Sequence, residues 1–317
     1  MKSLKDVEYA YAVAYIKTLE NKMLQRSDIE TMINAPDTET VMRQLHDRGF
    51  TGDTPEQLLR NEMERSWGAA YEVCPEEAPI DILLYENDFH NLKTILKAQV
   101  AAADWHSMVL KPSLTEPQAI AEAVRAADFS ELPEFMRDTA KEAYKLLTST
   151  MDGQLAEVMI DKNEHLAVLR RAKAEKNNFL IGWAELLCTL TNMKTAWRCA
   201  VSDKSHDFIK NALVPVNGTC ADTLIAAGGD LDAVKDIILS RFSDADVSSI
   251  GAFERWCDNK KLSYVRAVKG QSFGFLPALA FLVGKSFEIQ TLRIILSCKE
   301  NGVEEKVIRE RLRDMYV

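Results

Sequence analysis

An all-α fold is predicted by three features of the sequence. Apolar residues recur at three- and four-residue spacing along most of it, as in Tyr9, Ala12, Val13, Ile16, Leu19 and Met23, which is the period of one helix face. Side chains able to accept from free backbone N–H groups stand where these runs begin, among them Asp37, Thr54 and Asp230. A helical phrase also occurs three times: Asn91-Leu92-Lys93-Thr94-Ile95-Leu96, Asn192-Met193-Lys194-Thr195-Ala196-Trp197 and Thr291-Leu292-Arg293-Ile294-Ile295-Leu296, 101 and 99 residues apart. Strand character is confined to residues 262–268 and is not adopted in this assignment.

Taken in order, residues 8–24 form a first helix with a broad buried stripe. Ser27, followed three residues later by Glu30, reads as a capping box that opens a short second helix. Asp37 caps the third, which closes near Gly49. Thr54, Pro55 and Gln57 place an N-cap, a proline at the first helical position and an amide at the third, so a fourth helix runs over 55–73. Cys74-Pro75-Glu76-Glu77-Ala78-Pro79 is a rigid break, and the first phrase lies on a helix over 80–102. A loop at 111–117 leads to helices over 118–127 and 133–150. After the turn at Asp152-Gly153, two longer helices cover 155–173 and 179–200, the second carrying the middle phrase. Pro215, Gly218 and Gly228-Gly229 mark an irregular stretch before a helix over 231–242, capped by Asp230. Helices over 249–260 and 274–298, a turn at Asn301-Gly302 and a charged helix over 304–315 complete the chain.

The period divides the 317 residues into three similar helical modules, 1–105, 106–205 and 206–317. A spacing of about 100 residues is too long for the common solenoid repeats, and no flexible linker separates the modules. Within the phrase, the apolar positions fall at i, i+3 and i+4. That assigns Leu92, Met193 and Leu292 to the core, and replacement of any of them by Asp is expected to damage folding. The basic residues of the phrase are Lys93 with Lys97, Lys194 with Arg198, and Arg293 alone, because position 297 is Ser. They either form three equivalent sites for a partner or pair within their own modules, for instance with Asp88 or Glu288. The second reading is preferred, since a solvated helix face usually carries such charge. Tyr9, Tyr11 and Tyr15 read as core or module interface, and Trp197 as a core anchor.

Composition excludes several functions. A net charge of −9 argues against nucleic acid as the main partner. The six cysteines form no C-x-x-C pair and fit no zinc spacing, as expected of single buried thiols in a reducing compartment. Asp6 and Glu8 interrupt the place where a secretory leader needs an apolar run, and the longest apolar stretch, 273–283, is broken by Gly274 and Pro277. A cytoplasmic location is therefore expected. There is no phosphate-binding G-x-x-x-x-G-K-[ST] loop, no H-E-x-x-H, no G-x-S-x-G elbow and no pair of histidines at i, i+4. Gly228-Gly229 lacks the third glycine and the preceding strand of a dinucleotide site and reads as the turn into a helix. No catalytic, cofactor-binding or metal-ligating residue is assigned, and no cofactor or small-molecule substrate is expected.

Several stretches, in order along the whole chain, resemble the C subunit of bacterial and archaeal V/A-type rotary ATPases (ATP synthases), the counterpart of the d subunit of eukaryotic V-ATPases. They are Tyr9-Ala10-Tyr11-Ala12 with Leu19-Glu20 and Leu24; Asp88 to Ala98 around the first phrase; Asp161-Lys162; the middle phrase with Arg198; and Glu288, Leu292 to Leu296 and Lys299 with the closing Ile308-Arg309-Glu310-Arg311-Leu312-Arg313-Asp314-Met315-Tyr316. The chain departs from the family pattern in two places: Thr189 replaces the acidic residue before the middle phrase, and Thr291 replaces the third Asn. The resemblance implies three modules arranged as a pseudo-three-fold funnel. It also implies a non-catalytic part of the central rotor, peripheral to the membrane. Such a part couples the D–F shaft to the membrane proteolipid ring and passes torque for ATP-linked proton or sodium transport. The alternative is a helical scaffold or adaptor unrelated to an ATPase, which would expose an apolar groove for partner helices.

Overall fold

Helix α1 (Leu4–Glu20) stops four residues short of the predicted end. The N–H of buried Leu24 donates to Glu288 Oε2 at 2.7 Å, whereas a helical Leu24 would spend that donor on the carbonyl of Glu20. The computed structural model describes residues 4–75 and 78–317, with side chains from residue 9 onward. Glu76 and Glu77 of the predicted break, and the side chains of Asp6 and Glu8, lie outside the described residues.

Helix α2 (Arg26–Ile33) begins with Gln25 as its cap, the Asp28 carboxylate accepting the Gln25 N–H at 2.9 Å. The box thus sits two residues before the expected Ser27 and Glu30. Helix α3 (Thr38–Asp47) opens on Asp37, which accepts the Thr40 N–H at 2.7 Å. That bond holds the Asp37 carboxyl below its usual range. Helix α4 (Pro55–Val73) opens on Thr54, which accepts from Gln57 N–H at 3.2 Å, as predicted. A 3-10 turn, Pro79–Leu84, takes the first part of the next expected helix, and α5 (Tyr85–Ala101) carries the first phrase.

After the loop come α6 (Pro117–Ala126), α7 (Glu134–Thr150) and α8 (Gly153–Ala174). Asp152 is the cap of α8 and accepts the Leu155 N–H at 3.0 Å, so Asp152-Gly153 starts the helix. Helix α9 (Asn178–Val201) carries the middle phrase behind the cap Asn177. The irregular stretch contains two short helices, α10 (His206–Ala212) and α11 (Ala221–Ala226), before α12 (Leu231–Arg241), capped by Asp230 as expected. Helix α13 (Ile250–Arg266) takes up most of the strand-like segment. Leu262 and Val265 are both fully buried, and their three-residue spacing puts them on one helical face. Helix α14 (Leu276–Glu300) carries the third phrase, α15 (Glu305–Arg311) is shorter than predicted, and residues 312–317 form a non-helical tail. No strand occurs among the described residues, and the fold is all-α.

Two compact units result. One joins the residues up to Ile80 with Asp258–Val317; the other is Asp81–Cys257, the division falling inside α13. In the first, Ile289, Leu292, Ile295 and Leu296 of the third phrase helix pack on Leu24, Ile33, Leu45 and Leu58. In the second, Met193 and Trp197 pack with Ile209, Leu224, Ile238 and Phe253, the Trp197 and Phe253 rings stacking 5.4 Å apart. Trp197 is thus a core anchor. Tyr11 is not core: it is 68% exposed and stacks on half-buried Tyr15, while Tyr9 tilts against Phe275. All six cysteines are free, and only Cys220 is partly exposed. Among the described residues no helix is long and apolar enough to cross a membrane, and no group of His, Cys, Asp and Glu could hold a metal ion.

Candidate functional site

The repeated phrase is the feature that the structure makes most of. Leu92, Met193 and Leu292 are each fully buried, as are the two apolar positions that follow in each copy. The likeness continues past the sequence match. Eleven residues after the first position of the phrase, each helix ends in a left-handed residue: Ala102 (φ 50°), Asp203 (φ 49°) and Gly302 (φ 64°). The next N–H then reaches back over the last turn, Ala103 to Ala98 O at 2.9 Å, Lys204 to Cys199 O at 3.0 Å and Val303 to Cys298 O at 2.9 Å. This is one helix-ending motif built three times. Sequence reasoning found only the turn at Gly302. Ala102 and Asp203 carry no such signal, since a side chain at positive φ costs about 1–2 kcal/mol and is adopted only when packing demands it.

The first residue of the phrase is a backbone clamp in two copies. Asn91 is fully buried; its Nδ2 donates to Leu110 O at 3.0 Å, and its Oδ1 accepts the Leu110 N–H at 2.7 Å. Asn192, also fully buried, holds Val214 in the same two-point way at 3.0 and 2.7 Å. The third copy has Thr291, which has no amide to offer.

Three residues earlier, Asp88 accepts the N–H groups of Leu114 and Thr115 at 3.0 and 2.7 Å, and burial pushes its carboxyl up. Glu288 in the same register accepts from Leu24 and pairs with buried Lys285 at 2.5 Å, while Lys285 also reaches Glu62 at 3.0 Å. Burial pushes the Glu288 carboxyl up against the pull of Lys285. Thr189, the middle counterpart, donates to Glu185 O within its own helix at 2.7 Å. The sequence reading named Asp88 and Glu288 only as partners for the basic residues and missed their burial, although an acid three residues before an apolar triplet lies on its inward face and was a usable signal.

Lys93, Lys97 and Arg198 form ion pairs, but with acids outside their expected modules 1–105 and 106–205, not with Asp88 or Glu288. Lys93 meets Asp161 at 2.7 Å and Lys97 meets Glu157, both acids on α8. Arg198 meets Glu254 of α13 at 2.5 Å. Lys194 is half-buried; Arg293 is exposed and itself makes no ion pair among the described residues. Exposed pairs of this kind contribute about 0–1 kcal/mol each.

The closing Leu312-Arg313-Asp314-Met315-Tyr316 is a strap. Arg313 Nε donates to Asp258 at 3.1 Å, the Asp314 N–H to Asn259 Oδ1 at 2.9 Å, and the Tyr316 hydroxyl to Glu20 at 2.7 Å. The Tyr316 ring lies over Gly284, and burial raises its hydroxyl pKa.

Residues 12–311 match the family model of the ATP synthase (C/AC39) subunit. The C subunit of the V-type sodium ATPase of Enterococcus hirae is 23% identical over 310 residues, 93% of this chain and 92% of its own. The C subunit of the A-type ATP synthase of Desulfurococcus sp. is 22% identical, covering 96% of this chain and 91% of its own. Its counterpart in Thermococcus onnurineus is 23% identical, covering 98% and 91%. With a family match over nearly its whole length, an all-α fold and the phrase helix built three times, the chain belongs to the ATP synthase (C/AC39) subunit family.

Proposed function

We propose that this chain is a non-catalytic central-rotor subunit of a V/A-type ATPase. It couples the D–F shaft to the membrane proteolipid ring and transmits torque for ATP-linked proton or sodium transport. The observation that carries the reading is the family match over residues 12–311. The repeated unit supports it physically. Torque transfer needs stiffness, which close-packed helices supply, and the three phrase helices end in the same locked turn. On this reading the chain is three modules, 1–105, 106–205 and 206–317, around a pseudo-three-fold axis. The third phrase helix takes its core from residues 24–59. The protein sits peripherally on the cytoplasmic side, held by protein contacts alone.

The test is co-elution. The purified chain is mixed with the D–F shaft complex and, separately, with the detergent-solubilised proteolipid ring of the same organism. It is then run on size-exclusion chromatography. Co-elution with both is the expected result. A folded chain that elutes alone in both runs sinks the coupling role and leaves the scaffold reading in its place.

A further inference from the structure

A cleft of about 530 Å³ lies in the unit formed by the residues up to Ile80 and Asp258–Val317, walled by α2, the end of α13, α14, α15 and the 312–317 tail. Four arginines line it, Arg26, Arg266, Arg309 and Arg313, against two acidic side chains, Glu30 and Asp314. In a chain of net charge −9 this is a local reversal of sign.

The arginines are not equally engaged. Arg309 is committed: it donates to Glu30 through Nε and Nη2 at 3.2 Å, to Glu305 at 3.2 Å and to Asn34 at 2.7 Å. Arg313 spends Nε on Asp258 and Nη1 on Arg311 O. Among the described residues Arg266 uses only Nε, on Tyr316 O at 3.4 Å, and neither terminal nitrogen makes a hydrogen bond or ion pair. Arg26 is exposed and makes no hydrogen bond or ion pair among the described residues. Two arginines with unspent donors therefore line one cleft, and a guanidinium can hold phosphate oxygens at two points.

The repeat explains why a cleft is present at this place. Thr291 lines it and occupies the position of the clamping asparagines. Asn91 draws in the backbone 19 residues on, and Asn192 the backbone 22 residues on. The same count from Thr291 reaches residues 310–313, which no amide at position 291 draws inward; Leu312 and Arg313 of that segment line the cleft. Leu312 and Met315 add an apolar wall beside the charge. The volume lies within the range of small-molecule sites, about 300–1,000 Å³, and exceeds what one bare phosphate fills.

We infer that this cleft binds a small phosphate-bearing molecule through Arg26 and Arg266. The inference stands apart from the rotor reading and needs none of its partners. The phosphate comes either from a free phosphorylated compound or from a lipid headgroup, and the test separates the two. The full chain is titrated calorimetrically with pyrophosphate at constant ionic strength, and thermal unfolding is followed alongside. In parallel it is sedimented with phosphatidylcholine vesicles with and without phosphatidate. Arg26→Gln, Arg266→Gln and their combination are compared with Arg60→Gln, an exposed arginine of α4 outside the cleft.

One-to-one saturable binding with a raised melting temperature is expected. The double variant should bind about tenfold or more weakly, and Arg60→Gln as the parent does. Phosphatidate-dependent sedimentation without pyrophosphate binding, lost in the double variant, assigns the lipid source. Should Arg266→Gln fail to fold, Arg26→Gln alone decides, since it removes no internal bond. Binding to neither probe, or equal binding by parent and Arg26→Gln, overturns the inference.

Discussion

Asn192 and Asn91 do the same chemistry in different surroundings, and their replacement should separate the two. Removal of the Asn192 amide strands the N–H of Val214, which is 1% exposed, and leaves its carbonyl with the Val216 N–H alone, at 2.9 Å. Asn192→Ala is therefore expected to cost about 2 kcal/mol. Leu110, the backbone partner of Asn91, is 38% exposed, so water takes up part of the loss and Asn91→Ala should cost less. Thr291→Ala, with no clamp to break, should cost under about 1 kcal/mol. Urea titration followed by circular dichroism ranks the three; equal losses would remove the clamp from the account. Gly284 offers a second residue-scale test. A Cβ there would run into the Tyr316 ring, so Gly284→Ala must displace the strap. It should lose about 2 kcal/mol or more, and much less when made on a Tyr316→Ala background. Additive losses would show that the ring and the glycine are independent. That the asparagines open the phrase was legible in the sequence. Their partners were not, because these lie in irregular loops 19 and 22 residues away.

At the scale of the element, each phrase helix is defined by its inward triplet and by what its polar residues hold. Leu92→Asp, Met193→Asp and Leu292→Asp each place a charge at a site with 0% exposure and should abolish cooperative unfolding in calorimetry. A fully folded variant at any of the three would contradict the triplet. Helix α14 also carries Lys285, 6% exposed between Glu62 and Glu288. Lys285→Met leaves two carboxylates facing one another with their shared ammonium gone, and should cost about 3–5 kcal/mol. Lys93→Met, which breaks a pair with 26% and 50% exposed partners, should cost less than about 1 kcal/mol. Similar losses from the two substitutions, read in the same urea experiment, would mean that burial does not set the strength of these pairs. Helix starts were largely legible, because a cap acts within three or four residues of itself. The cap of α2 was not. The bond from Leu24 to Glu288 turns the chain out of α1 at a point that brings Gln25 and Asp28 into the capping places.

Across the whole molecule, the third phrase helix differs from the other two in where its core comes from: residues 24–59, at the far end of the chain. Deletion of residues 1–80 should therefore leave Asp258–Val317 without amide-exchange protection while Asp81–Cys257 stays protected, since the latter is a compact unit of its own. Retained protection over α14 would show that the helix needs no N-terminal partner. The all-α class, the order of the long helices, the threefold phrase and the family were determined by the sequence alone, because they rest on periodicity, local capping and motif order. Tertiary structure alone decided the early exit from α1, the left-handed ends at Ala102 and Asp203, the partners of the basic residues, and the tail strapped across Gly284. Each depends on packing or on a bond between residues far apart in the chain, up to 296 for Glu20 and Tyr316. A local pattern records which face of a helix turns inward, but not what that face meets there.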